Sequence, residues 1–199
     1  MGLGNPGAEY AETRHNAGFC VVDALARRWG GRFRRGLFAQ SETCRIHLAG
    51  IPVLLVKPMT YMNLSGKALA PLLRREAIPA ARLVVVHDDM DVPLGRLRLR
   101  AGGGTGGHRG MASVIASLGT EAVARVRVGI GRPPDGIDAA QFVLSPVRGG
   151  ERALWQQAID SAAEAVEVVL RDGLERAMER FNGAGESQQR PGPAPASPT

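Results

Sequence analysis

The stretch RLVVVHDD, residues 82–89, decides the fold. Leu83 and three consecutive valines leave no polar face, as in a strand buried on both sides. The run then ends abruptly in carboxylates. In an open α/β sheet, ligands gather beyond the carboxyl ends of the strands, which is where Asp88 and Asp89 fall. Working outward, Asn16 to Trp29 carries Phe19, Val22, Leu25, Ala26 and Trp29 at helical spacing, and Gly30-Gly31 closes it. Thr43 to Leu48 alternates, and IPVLLVK (51–57) is a second continuous apolar run. A helix is expected from Thr60 to about Arg75, kinked or bounded at Pro71. GRLRLR (95–100) alternates Leu97 and Leu99 against Arg96, Arg98 and Arg100, so three guanidinium groups share one strand face. The glycine loop AGGGTGGHRG (101–110) leads into a short helix, ARVRVGIG (124–131) is a further strand, and two helices broken near Gly173 follow from Gly150 to Asn182.

Alternating strands and helices of this kind argue for a single-domain three-layer α/β/α fold with a mixed, mostly parallel sheet, spanning residues 1–182. Residues 183–199 hold no core-forming side chains and read as a disordered Pro/Gly/Ser-rich tail. The 199 residues suffice for one proper core, and 44% hydrophobic with 22% charged residues is ordinary for a globular chain. No apolar run reaches membrane-spanning length and no leader pattern opens the chain, so a cytoplasmic protein without membrane association is expected. Two cysteines, Cys20 and Cys44, are too few for a disulfide framework or a metal cluster.

The net charge of +6 is localised. Between Val92 and Arg132 stand seven arginines, among them Arg98, Arg100, Arg109 and Arg127, against the single acid Glu121. Genomic bias explains arginine over lysine but not this confinement, which points to a basic surface for a polyanion.

Asn5 follows the first strand remnant, Lys57 to Asn63 follows the third strand, and Asp88 ends VVVHD; these polar groups should converge on one rim. His15 stands in the opening turn between Arg14 and Asn16. A lone histidine is more often a hydrogen-bonded or capping residue than a catalyst, and His47 and His87 have structural explanations within strands. His108 is either a helix cap or a ligand contact. Asp88, Asp89 and Asp91 could hold magnesium, but one of them suits better the task of orienting an imidazole. The loop GGGTGGHRG lacks the Gly-Lys-Ser/Thr ending of a nucleotide-phosphate loop, and Pro6 interrupts any dinucleotide fingerprint in GLGNPG. No cofactor and no metal are expected.

Taken together, GLGNPGAEYAETRHNAGF, KPMTYMNLSGKAL, VVHDDMDVPLG and LRAGGGTGGHRGMASVI, in this order and spacing, resemble the bacterial-type peptidyl-tRNA hydrolases from residue 1 to about 182. The resemblance implies hydrolysis of the ester between a peptide and the 3′-terminal ribose of tRNA by a monomer, with the acceptor stem and CCA end as its contacts. It implies His15 as general base and Asp88 as its support. It further implies Asn5 as the asparagine associated with preferring blocked over free aminoacyl groups, Asn63 as the one that positions substrate and water, Tyr10, Tyr61, Met62 and His108 as site lining, and Arg100 with Arg127 as the grip on the tRNA 5′-phosphate. Arg109 departs from the asparagine many members carry after that histidine. A non-catalytic RNA-binding protein of the same fold, as the resemblance to plant organellar splicing factors suggests, is the rival. The first strand, little more than Met1 to Gly4, is shorter than a usual strand; the expectation is that Met1 stands where the family has valine and that the natural start lies upstream.

Overall fold

In a computed structural model, residues 1–37 and 39–183 are described; the expected tail falls outside them, apart from Gly183. The elements are α1 (Ala17–Arg28), β1 (Arg34–Arg35), β2 (Ser41–Leu48), β3 (Ile51–Pro58), α2 (Ser65–Arg75), β4 (Val84–Asp89), β5 (Leu97–Arg100), α3 (Arg109–Leu118), β6 (Ala124–Gly129), α4 (Ala139–Val143), α5 (Glu151–Asp172) and α6 (Leu174–Asn182). They form an α/β fold with two three-stranded sheets, ordered β1-β2-β3 and β4-β6-β5.

The opening residues join the two sheets. Gly2 N donates to Val56 O of β3 at 3.0 Å, while Leu3 N donates to Val86 O and Val86 N to Met1 O, both at 2.9 Å. Met1 to Leu3 thereby act as a strand although Gly2–Val86 is only an isolated parallel bridge. The Met1 amine donates to Val84 O at 2.8 Å, and burial pushes it down to about 5. This close fit has a backbone cause: a Cβ on Gly18 of α1 would lie 2.3 Å from both Leu3 N and Val86 O. Glycine there lets α1 settle directly on the strand backbone.

Two apolar clusters flank the sheets. One packs Val21, Leu25, Val86, Leu99, Val126, Ile159 and Val166, joining α1 and α5 to one sheet face. The other packs Leu3, Val56, Leu69, Leu72, Val85, Met111 and Val114, with α2 and α3 on the opposite face. The three layers and the mixed sheet match the expectation. Parallel pairing is narrower than expected: it holds for β4 with β6 and for Gly2 with Val86, while β1–β2, β2–β3 and β5–β6 are antiparallel. For β2 and β3 the reason is connection length, since they are joined by the two-residue turn Ala49-Gly50, which only an antiparallel hairpin permits. Pro71 does not end its helix. It sits on the exposed side of α2, where the carbonyl its missing N–H leaves free can meet water.

Candidate active site

The carboxyl end of β4 places Asp88, 2% exposed, at the floor of a cavity of about 860 Å³. His15 comes from a short 3₁₀ turn, Arg14–Asn16, that leads into α1. Its Nδ1 lies 3.0 Å from each Asp88 carboxylate oxygen. His108 approaches from the other side, with Nε2 at 3.0 Å from Asp88 Oδ1. Its Nδ1 accepts from Gly110 N at 3.1 Å and Met111 N at 3.2 Å, capping α3. An imidazole nitrogen that accepts carries no proton, so His108 must bear its hydrogen on Nε2 and donate it to Asp88. His108 is therefore both the cap and a contact of the site carboxylate.

Burial alone would raise the Asp88 carboxyl; its interactions with His108 and His15 outweigh it and hold the group far below the usual carboxylate range. Asp88 thus presents a fixed negative charge to two imidazoles. His87, the preceding residue, is pushed down to about 3 by burial and then by neighbouring His108. Its Nδ1 lies 2.7 Å from Asp88 O, and its ring meets that of His108 edge-on at 4.7 Å. A neutral His87 donates from Nδ1 to that carbonyl and adds no charge to the cluster.

The opening turn is locked by a reciprocal amide pair. Asn5 N donates to Asn16 Oδ1 at 2.8 Å, and Asn16 Nδ2 donates to Asn5 O at 3.0 Å. The Asn5 side chain then accepts from Met62 N at 2.8 Å through Oδ1. Its Nδ2 is left as the donor that this cavity-lining residue can offer. Met62 and Asn63 lie in a 3₁₀ turn ahead of α2, with Met62 buried and Asn63 exposed.

Asn5, Tyr10, His15, Tyr61, Met62, Asn63, Asp88, His108 and Arg109 all line the one cavity. Arg98, Arg100 and Arg127 do not. They sit on the β5–β6 face, where the register sets Arg98 opposite Arg127 and Arg100 opposite Arg125. Arg100 and Arg127 are consequently diagonal neighbours on one face, a separation long side chains can bridge. Arg125 turns inward onto the carbonyls of Gly103, Gly104 and Glu121 and serves the glycine loop. The acidic run disperses: Asp88 takes the two imidazoles, Asp89 pairs with Arg127, and Asp91 with Arg132. The compact potential ligand set is instead His15, Asp88 and His108, whose ligand atoms lie within 4.8 Å of one another.

The family model described as peptidyl-tRNA hydrolase matches residues 1–190. The chain belongs to the peptidyl-tRNA hydrolase family. It is 49% identical over 184 residues to a peptidyl-tRNA hydrolase of Carboxydothermus hydrogenoformans, covering 92% of this chain and 97% of that one. A Nocardia farcinica peptidyl-tRNA hydrolase is 46% identical over 182 residues, covering 92% and 94%. Among solved structures, the peptidyl-tRNA hydrolase of Acinetobacter baumannii superposes with a TM-score of 0.86 at 36% identity, over 92% of each chain.

Two residues of this peptidyl-tRNA hydrolase family member carry the site without having been singled out in the sequence. Asn16 makes the amide lock just described. Arg14, 7% exposed, donates through Nη1 to Ser145 Oγ at 2.6 Å and to Pro146 O at 3.2 Å, and pairs with Glu151 through Nη2. Its guanidinium also lies 4.5 Å above the Phe142 ring. Both flank His15 directly, and the only signal in the sequence was that adjacency.

Proposed function

We propose that this chain hydrolyses the ester joining a peptide to the 3′ end of tRNA, with His15 as general base. The observation carrying this reading is the bifurcated contact of His15 Nδ1 with both oxygens of ionised Asp88. A carboxylate there keeps the proton on Nδ1 and leaves Nε2, on a ring that lines the cavity, free to accept one from water. The same carboxylate stabilises the imidazolium formed as water attacks. An ester is activated enough for a positioned water, with no covalent intermediate.

The carboxamides divide the remaining work. Asn63 is exposed in the cavity and able both to donate to a developing oxyanion and to accept from the attacking water. Asn5 is held by Met62 N and Asn16 and supplies a neutral group beside the bond. Neutral amides offer no counter-charge for a free ammonium, which favours a blocked amino group. Tyr10, Tyr61 and Met62 supply the walls. Arg98, Arg100 and Arg127 face the acceptor-stem phosphates, the last after exchanging its Asp89 contact. The enzyme acts in the cytoplasm as a monomer.

The test is hydrolysis of N-acetyl-aminoacyl-tRNA against unblocked aminoacyl-tRNA, with and without EDTA. The blocked substrate should be preferred and EDTA should leave the rate unchanged. His15→Ala should lower turnover at least ~100-fold with tRNA affinity nearly intact. Wild-type turnover in that variant would remove His15 from the role of base.

A further inference from the structure

Away from the His15 cleft, a second cavity of about 670 Å³ opens between the β1–β2 edge and α2. It shares no lining residue with the first. Ser41 and Thr43, two apart on β2, occupy the same strand face, and Arg34 pairs opposite Thr43. From α2, Ala68, Leu72 and Arg75 recur at helical spacing and form the facing wall. Three arginines, Arg34, Arg35 and Arg75, are among the residues lining the space, and among the described residues no Asp or Glu lines it. Arg35 donates through Nε to Ala39 O at 2.9 Å. Arg75 pairs with Glu76 Oε1 through Nε and Nη2, at 3.3 and 3.1 Å, while Arg45 takes the other carboxylate oxygen.

The second observation is an orphaned hydroxyl. Ser41 is 6% exposed, lines this cavity, and its Oγ has no hydrogen-bond partner. A buried hydroxyl left unsatisfied opposes folding, and such groups call for a ligand or a bound water.

We propose that this cavity is a second anion site that takes a phosphate group, held by Arg34, Arg35 and Arg75 with the Ser41 hydroxyl as an added donor. Guanidinium forks match phosphate oxygens bidentately, and three arginines around one cavity suit a multiply charged oxyanion, Arg75 exchanging its Glu76 contact for the ligand. The cavity is larger than phosphate alone, and the apolar wall of Ala68, Pro71 and Leu72 accommodates a sugar or base attached to it. The phosphate arrives either on a free mononucleotide or on an RNA strand. The site stands independently of the chemistry assigned to His15.

The experiment titrates inorganic phosphate, AMP and deacylated tRNA into the full chain at constant ionic strength. Wild type is compared with Arg34→Ala/Arg75→Ala and with Ser41→Ala. Phosphate or AMP should bind saturably and weaken at least ~10-fold in the double variant, as expected for lost charge-assisted contacts. AMP binding more tightly than phosphate identifies a mononucleotide ligand. If tRNA alone responds, its slope of log affinity against log salt should become shallower by roughly one unit per lost contact, identifying an RNA strand. Ser41→Ala should raise the melting temperature of the free protein while weakening the ligand, a trade that a purely structural serine would not produce. Turnover at saturating N-acetyl-aminoacyl-tRNA should stay at the wild-type value in all variants. Binding of all three probes unchanged by Arg34→Ala/Arg75→Ala would overturn the proposal.

Discussion

Acid should destabilise this protein through His87, and the amount can be worked from its surroundings. The imidazole is buried, adjoins His108, and is held down to about 3 against an ordinary value of 6.5. For a base with a depressed folded value, the unfolded chain takes up the proton first as pH falls. The stabilising contribution of neutral His87 is therefore complete above 6.5 and is lost progressively between 6.5 and about 3. At ~1.4 kcal/mol per unit, the full loss is about 5 kcal/mol, and the part incurred between about pH 7.5 and pH 5 is about 2 kcal/mol. The assay is urea denaturation of wild type and His87→Leu at those two pH values. Histidines common to both proteins cancel in the comparison. The variant forfeits the hydrogen bond to Asp88 O, so its stability at neutral pH will be lower. Its further loss on going to about pH 5 should nonetheless be smaller than wild type's by about 2 kcal/mol. Equal losses in the two proteins would refute the linkage and mean that His87 is solvated or already protonated in the fold.

Asp88→Asn should reduce turnover by roughly 10- to 1000-fold, because an amide N–H facing His15 Nδ1 favours the wrong tautomer. Wild-type turnover in that variant would exclude Asp88 as the support. Asn16→Ala removes both bonds of the amide lock and should cost about 1–3 kcal/mol in urea unfolding, with a raised KM that Asn16→Asp only partly restores. An unchanged KM would make Asn16 a matter of stability alone. Arg127→Ala should weaken tRNA binding and make the salt slope shallower by roughly one unit, while kcat holds. A slope unaltered in Arg127→Ala and Arg100→Ala alike would move the polyanion face elsewhere.

Much of this molecule is legible in its sequence because much of it is local. The helical spacing from Phe19 to Ala26, the valines of β4 and the break at Gly173 each announce an element through side chains a few residues apart, and the structure places those elements there. The gathering of Asn5, Asn63 and Asp88 on one rim followed from a general property of α/β sheets. Short elements were less visible. β1 is two residues long and α4 five, too brief for any periodicity, and α4 announces itself only through Asp138 accepting from Ala140 N and Gln141 N.

What tertiary structure alone decided is the partnering of buried polar groups. Asn5 meets Asn16 across 11 residues, Met62 across 57, and Arg14 reaches Ser145 across 131. Nothing local distinguishes these residues from solvated ones. Which donor meets which acceptor depends on where the packed layers bring them after water has been excluded. The same holds for His108, whose choice between capping a helix and touching Asp88 was open in the sequence. The fold resolves it by using one ring nitrogen for each, because the N-terminus of α3 ends within hydrogen-bonding distance of the carboxyl end of β4.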